Sequence, residues 1–147
     1  MAHDFKAFPE LTNGQMGLYY FESPHQQITE DFRARVIKVH DGDTVRVETD
    51  FRDFSFPIRF ARLAAPELNQ EGGRESQRWL ESQILGEEVD VILSKQRVEK
   101  WGRLLAEVVW MGDSMSDASV RTGHGVDWSQ VNNKTYMNLN KELAIWN

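Results

Sequence analysis

The sequence contains no cysteine. Disulfides and thiolate metal sites are therefore excluded, which leaves the compartment open. Its four histidines fall at no spacing that would hold zinc. Proline is scarce, at 4 residues. No apolar run approaches the roughly 18 residues needed to cross a bilayer, so no membrane partner is expected. Met1-Ala2-His3-Asp4-Phe5 has no basic region leading into an apolar one, which predicts no secretory signal. The cytoplasm or a viral particle is the expected location. Basic residues are outnumbered, 17 against 23 acidic, for a net charge of −6. That argues against broad non-specific binding of nucleic acid and leaves room for a small local basic site.

What is present is ordinary for a globular chain: 147 residues, 40% hydrophobic and 27% charged. One domain with a real core is expected. Val39-His40-Asp41-Gly42-Asp43-Thr44-Val45-Arg46-Val47 organises it. Apolar and polar residues alternate on both sides of Asp-Gly-Asp, the pattern of two strands joined by a tight turn. A positive φ at Gly42 would bring Asp41 and Asp43 near each other at the rim. Paired carboxylates there suit Ca²⁺ or Mg²⁺. Alone, the stretch reads more readily as an ordinary solvated turn.

Residues 1–31 form an aromatic-rich extension broken by Pro9, Asn13-Gly14, Gly17 and Ser23-Pro24. A short helix is expected from Thr12 to Tyr20, capped by Thr12 or Asn13. Such a segment must dock, on its own domain or on a partner, to be ordered. Residues 32–147 read as the domain proper. Strands are expected from Phe32 to Val39, from the hairpin to Glu48 and from Phe56 to Leu63, the last after a turn over Phe51 to Ser55. A helix follows over Arg74 to Leu85, ended by Gly86. Two more strands, around Val89 to Leu93 and over Leu104 to Met111, precede a helix from Ser114 to Thr122. Val126 to Lys134 reads as irregular, and a last helix is expected over Thr135 to Leu143. With no parallel crossovers in view, a five-strand OB-type barrel with about three helices, an α+β fold, fits this order. Trp79, Trp110 and Trp146 read as core, His40 and His124 as surface or packing residues, and Lys95, Arg97 and Lys100 as a solvated loop face.

Four short pieces stand in order: Asp41-Gly42-Asp43-Thr44; Arg59 within Pro57-Ile58-Arg59-Phe60; Ala65-Pro66-Glu67; and Lys100-Trp101-Gly102-Arg103-Leu104-Leu105-Ala106. Their order and content resemble the staphylococcal nuclease (thermonuclease) family over roughly residues 32–146. The resemblance implies calcium-dependent hydrolysis of phosphodiesters in DNA or RNA. It implies Asp43 as a side-chain metal ligand, with Asp41 a further candidate and Ala65 contributing its backbone carbonyl. It implies Glu67 as the carboxylate that orients or deprotonates the attacking water, and Arg59 and Arg103 as the phosphate-gripping pair. Arg62, three residues beyond Arg59, is expected on the opposite face. Lys100 and Trp101 are candidate substrate contacts, with packing the plainer reading for Trp101.

The family pattern departs at Ala64, which stands where the second calcium carboxylate belongs, so weak ion binding is expected. Asp41 could move in, water and substrate phosphate could fill the gap, or the site could be inactive. Two readings follow. One is a metal-dependent nuclease acting on nucleic acid. The other is an adaptor on a nuclease-like barrel, for example in a phage particle, docked to a protein partner through residues 1–31.

Overall fold

Five long strands carry the fold in the computed structural model, which describes residues 3–131. They are β1 (Phe32–Asp41), β2 (Thr44–Thr49), β3 (Arg52–Phe60), β5 (Glu88–Val98) and β6 (Leu104–Trp110), with the two-residue β4 (Leu63–Ala64) lying between β3 and β5 in the chain. They lie in the order β3-β2-β1-β5-β6, and β3 also pairs with β6. Four antiparallel steps leave the two end strands pointing the same way, so the closing pair is parallel, with Ile58 opposite Leu104 and Phe60 opposite Ala106. The result is a closed mixed barrel with helices, the OB-type α+β fold expected. The parallel pairing is confined to this closing seam.

The barrel is filled by alternation. Val36, Val45, Val47, Phe56, Ile58, Phe60, Val91, Leu104, Ala106 and Val108 are all buried. Helix α2 (Gly73–Ile84) closes one end by burying Leu80 and Ile84. Those two side chains contribute roughly 3–6 kcal/mol together, more than a helix of this length gains from propensity. Gly86 takes φ +82° just past its end, as the sequence suggests. Trp79 and Trp110 pack against the core while only partly buried.

Several boundaries differ from expectation. The expected turn over Phe51 to Ser55 is largely strand, because Arg52–Phe60 pairs along β2. The third strand stops at Phe60, not Leu63, because the chain turns through Arg62 at φ 65°. Leu63–Ala64 then pairs with β8 (Val126–Asp127), inside the stretch expected to be irregular. Between them lie β7 (Asp113–Ser114) and α3 (Met115–Arg121), with Ser114 capping α3 by accepting from the Asp117 amide. A single turn, α4 (Trp128–Val131), ends the described chain. The expected helix over Thr135 to Leu143 and the core role of Trp146 lie outside the described residues.

The N-terminal extension packs on its own barrel. Helix α1 (Asn13–Tyr19) has Thr12 as N-cap, with Gln15 completing a reciprocal capping box. Leu11 is fully buried and Ile28 joins the barrel core. Glu10, also buried, forms ion pairs with Arg52 and Arg97. Arg97 further donates to the carbonyls of Ile28 and Leu11 and to Asn13 Oδ1. Arg97 is thus 6% exposed and not part of a solvated face. The extension covers it, and burial lowers its pKa against the pull of Glu10.

Candidate active site

The hairpin puts its carboxylates inward. Asp41 ends β1 and Thr44 starts β2, leaving Gly42-Asp43 as the turn. Asp41 Oδ1 accepts the Asp43 amide at 3.0 Å, a local bond that tightens the turn. Asp43 Oδ1 accepts the Thr44 hydroxyl at 3.0 Å, and Oδ2 accepts the Ala65 amide at 3.1 Å. Gly42 does not have the positive φ expected of it. It is needed for space, since a Cβ there would lie 2.0 Å from Ser76 Oγ and 2.8 Å from Ala65 Cβ. The turn is seated against the first turn of α2 and the Ala64-Ala65 segment.

Arg59 comes from β3, opposite Thr44 on one side and Leu105 on the other. Its Nη1 donates to the carbonyls of Phe60 and Leu63, each at 2.8 Å, and its Nη2 lies 3.4 Å from Asp43 Oδ2. The guanidinium therefore ties the end of β3 to β4 and flanks Asp43. Arg62 faces elsewhere, as expected, but because the chain has left the strand. It meets Glu107 at 2.7 Å and Asp117 and Asp127 at 3.1 Å.

Arg103 is presented by the loop between β5 and β6. Glu99 holds it with two bonds, from Nε at 3.0 Å and Nη2 at 2.9 Å. These bonds raise the Arg103 pKa, with Asp43 and Asp41 adding to the effect, so Arg103 is within electrostatic reach of the carboxylate pair. Gly102 before it has φ +87°, and Phe8 of the extension occupies the space a Cβ would need. Lys100 Nζ stands 5.0 Å from the Trp101 ring centre, and Trp101 is 63% exposed rather than packed. Glu67 sits exposed beyond Pro66. Its amide donates to Gln70 Oε1 at 2.7 Å, and Gly73 lies so close that a Cβ there would be 1.8 Å from the Glu67 carbonyl oxygen. Its carboxylate makes no hydrogen bond or ion pair among the described residues. His124 stacks on Trp79 with ring centres 4.9 Å apart, a packing role.

Electrostatics single out Asp43. Burial pushes its carboxyl up to about 7; Arg59 opposes that, while Asp41, by charge and by a shared hydrogen bond, adds to it. Two buried carboxyls with one guanidinium against Asp43 are short of positive charge, and a hard cation fits that need. The donor set is thin. Among the described residues no three His, Asp or Glu side chains converge, and Ala64, buried at 3% exposure, supplies only backbone at the third position.

Comparison with known proteins agrees with this geometry, although no family model matches the chain. Proteins of Escherichia coli O157:H7 and Escherichia coli, each named uncharacterized endonuclease, are 32% identical to it over 116 residues, covering 78% of this chain and 72% of theirs. A micrococcal nuclease of Shigella flexneri is 32% identical over 78 residues, 53% of this chain and 42% of its own. The chain belongs to the staphylococcal nuclease-like family. As a member of that family it brings Asp41, Asp43, Arg59 and the Ala65 amide together, sets Arg103 nearby and leaves Glu67 on the rim. Sequence reading missed Glu99, which needs the β5–β6 loop to be seen as Arg103's partner. It also missed Ser76, whose contact with Gly42 joins residues far apart in the chain.

Proposed function

We propose that the chain is a divalent-metal-dependent phosphodiesterase that cleaves DNA or RNA. The observation that carries this reading is the buried Asp41–Asp43 pair, short of positive charge, beside Arg59 and within reach of Arg103. Asp43 and Asp41 would hold Ca²⁺ or Mg²⁺, with the Ala65 carbonyl as a further donor. A bound divalent ion would screen phosphate charge and acidify its water. Without a carboxylate at Ala64, affinity is expected to be weak, and Mg²⁺, which keeps several waters, tolerates the thin set.

The chain's own groups then divide the work. Arg103 has its Nη1 free of the Glu99 bonds and turns paired, planar donors toward a phosphate, where they are worth most as negative charge builds on the oxygens. Arg59 already spends Nη1 on two carbonyls, so its first task is to fix Asp43 and the β3–β4 turn, with phosphate contact through its remaining donors. Glu67, exposed and without a side-chain partner among the described residues, is the group able to accept a proton from the attacking water. The adaptor alternative would use what the barrel leaves uncovered of the extension, where Leu18, Tyr20 and Phe21 are exposed.

The test is cleavage of labelled single-stranded DNA, duplex DNA and RNA with Ca²⁺, Mg²⁺ or EDTA. Cleavage that needs one of the ions and stops in EDTA is expected. No cleavage under any condition overturns the reading.

A further inference from the structure

The extension does more than cover the barrel. Phe5, Lys6 and Pro9 line a groove of about 420 Å³ together with Arg46, Phe54, Trp101 and Arg103 of the barrel. Beyond Arg46 and Arg103 a second hollow of about 280 Å³ continues the path past Lys38 and His40 to Thr44, the residue bonded to Asp43. Lys6, Arg46, Arg103 and Lys38 line the two hollows, and among the described residues no acidic one does. On a chain of net charge −6 that is a local reversal of sign. Glu99 offsets part of the Arg103 charge from behind.

The groove is also aromatic and rigid. Phe5 approaches His25 edge-on at 6.3 Å between ring centres, and His25 approaches Phe54 at 4.9 Å. Trp101 stands open at the rim. Arg46 is fixed by two bonds to Ser55, at 2.9 and 3.0 Å. The extension wall is pinned by Phe8 against Gly102 and by buried Glu10 between Arg52 and Arg97.

We infer that this groove is a track for single-stranded nucleic acid, built jointly by the extension and the barrel. It rests on the nuclease reading above and adds residues 5–9 to the substrate site. Cations spaced along a groove follow a phosphate backbone, and rings lining it, here half-buried Phe5 and exposed Trp101, take unstacked bases, which a duplex does not offer. Lys6 contacts phosphate, Phe5 and Trp101 contact bases, and the path delivers the next phosphate to Arg103.

The test measures binding without chemistry. A fluorescein-labelled oligothymidine and a duplex of equal length are titrated with the full chain in EDTA, following anisotropy across a salt series. The oligothymidine should bind more tightly. Phe5→Ala should weaken it about tenfold. Lys6→Ala should weaken it and lower the salt slope by about 0.7. Arg33→Ala, which removes an exposed cation away from the groove, should change nothing. Wild-type binding by both groove variants, or equal binding of duplex and single strand, overturns the inference. Because no metal is present, binding with no cleavage in the separate assay would sink the nuclease reading alone. Normal cleavage with binding unmoved by the variants would sink only the track.

Discussion

Asp43 concentrates the conflict between folding and function in one side chain. Its folded carboxyl titrates near 7 against an ordinary 3.8. The folded state therefore keeps a proton that the unfolded chain releases, and stability falls as pH rises through that window. Without divalent ions, the wild type should lose stability relative to Asp43→Asn by up to about 1.4 kcal/mol per pH unit between those values. Denaturant midpoints measured across the range read this directly, and parallel pH profiles for the two proteins would contradict it. The other decisive residue is Ala64. Its neighbour Ala65 already bonds Asp43 through its amide, so Ala64→Asp adds a carboxylate beside the pair. Calorimetry should show Ca²⁺ binding tightened by about tenfold or more. Unchanged affinity would mean that position 64 does not face the ion.

At the scale of elements, the hairpin and α2 act as one unit because Gly42 lets them touch. Gly42→Ala would force Ser76 and Ala65 apart and is expected to cost about 1–3 kcal/mol in chemical denaturation. A variant as stable as wild type would show that the contact yields easily. The extension is tied by apolar burial of Leu11 and Ile28 and by the buried charge of Glu10. Glu10→Ala leaves Arg52 and Arg97 buried without their acid and should cost about 3 kcal/mol or more. A loss under 1 kcal/mol would mean that water reaches both guanidiniums. These elements also show what was legible in the chain. Alternation around Asp-Gly gave the hairpin, Leu80 and Ile84 gave α2, and Thr12 marked the start of α1, because each signal lies within a few residues. Arg97 read as solvated because Glu10 and Leu11, which bury it, lie more than eighty positions away. Gly42 read as a φ requirement because its true neighbour, Ser76, lies well outside the local window, on α2. Glu99 was passed over because a lone acid in a loop has no periodicity to mark it.

Across the whole molecule, barrel closure is what makes a site from scattered pieces. The parallel β3–β6 seam sets Arg59 against Leu105, two residues past Arg103. The β2–β3 ladder sets the same Arg59 against Thr44, next to Asp43. The short β4–β8 ladder then holds the segment that carries Glu67. A net negative chain thereby gathers cations beside a buried acid pair, and the extension adds to that side. The most direct measurement of whether this is a hydrolytic site is single-turnover cleavage of single-stranded DNA in Mg²⁺ or Ca²⁺ by wild type and Glu67→Gln. Glu67 is exposed, so the variant should fold and bind DNA as wild type does. Its cleavage rate is expected to fall by about 10² or more, the usual share of a general base. Equal rates for the two proteins would contradict the assignment.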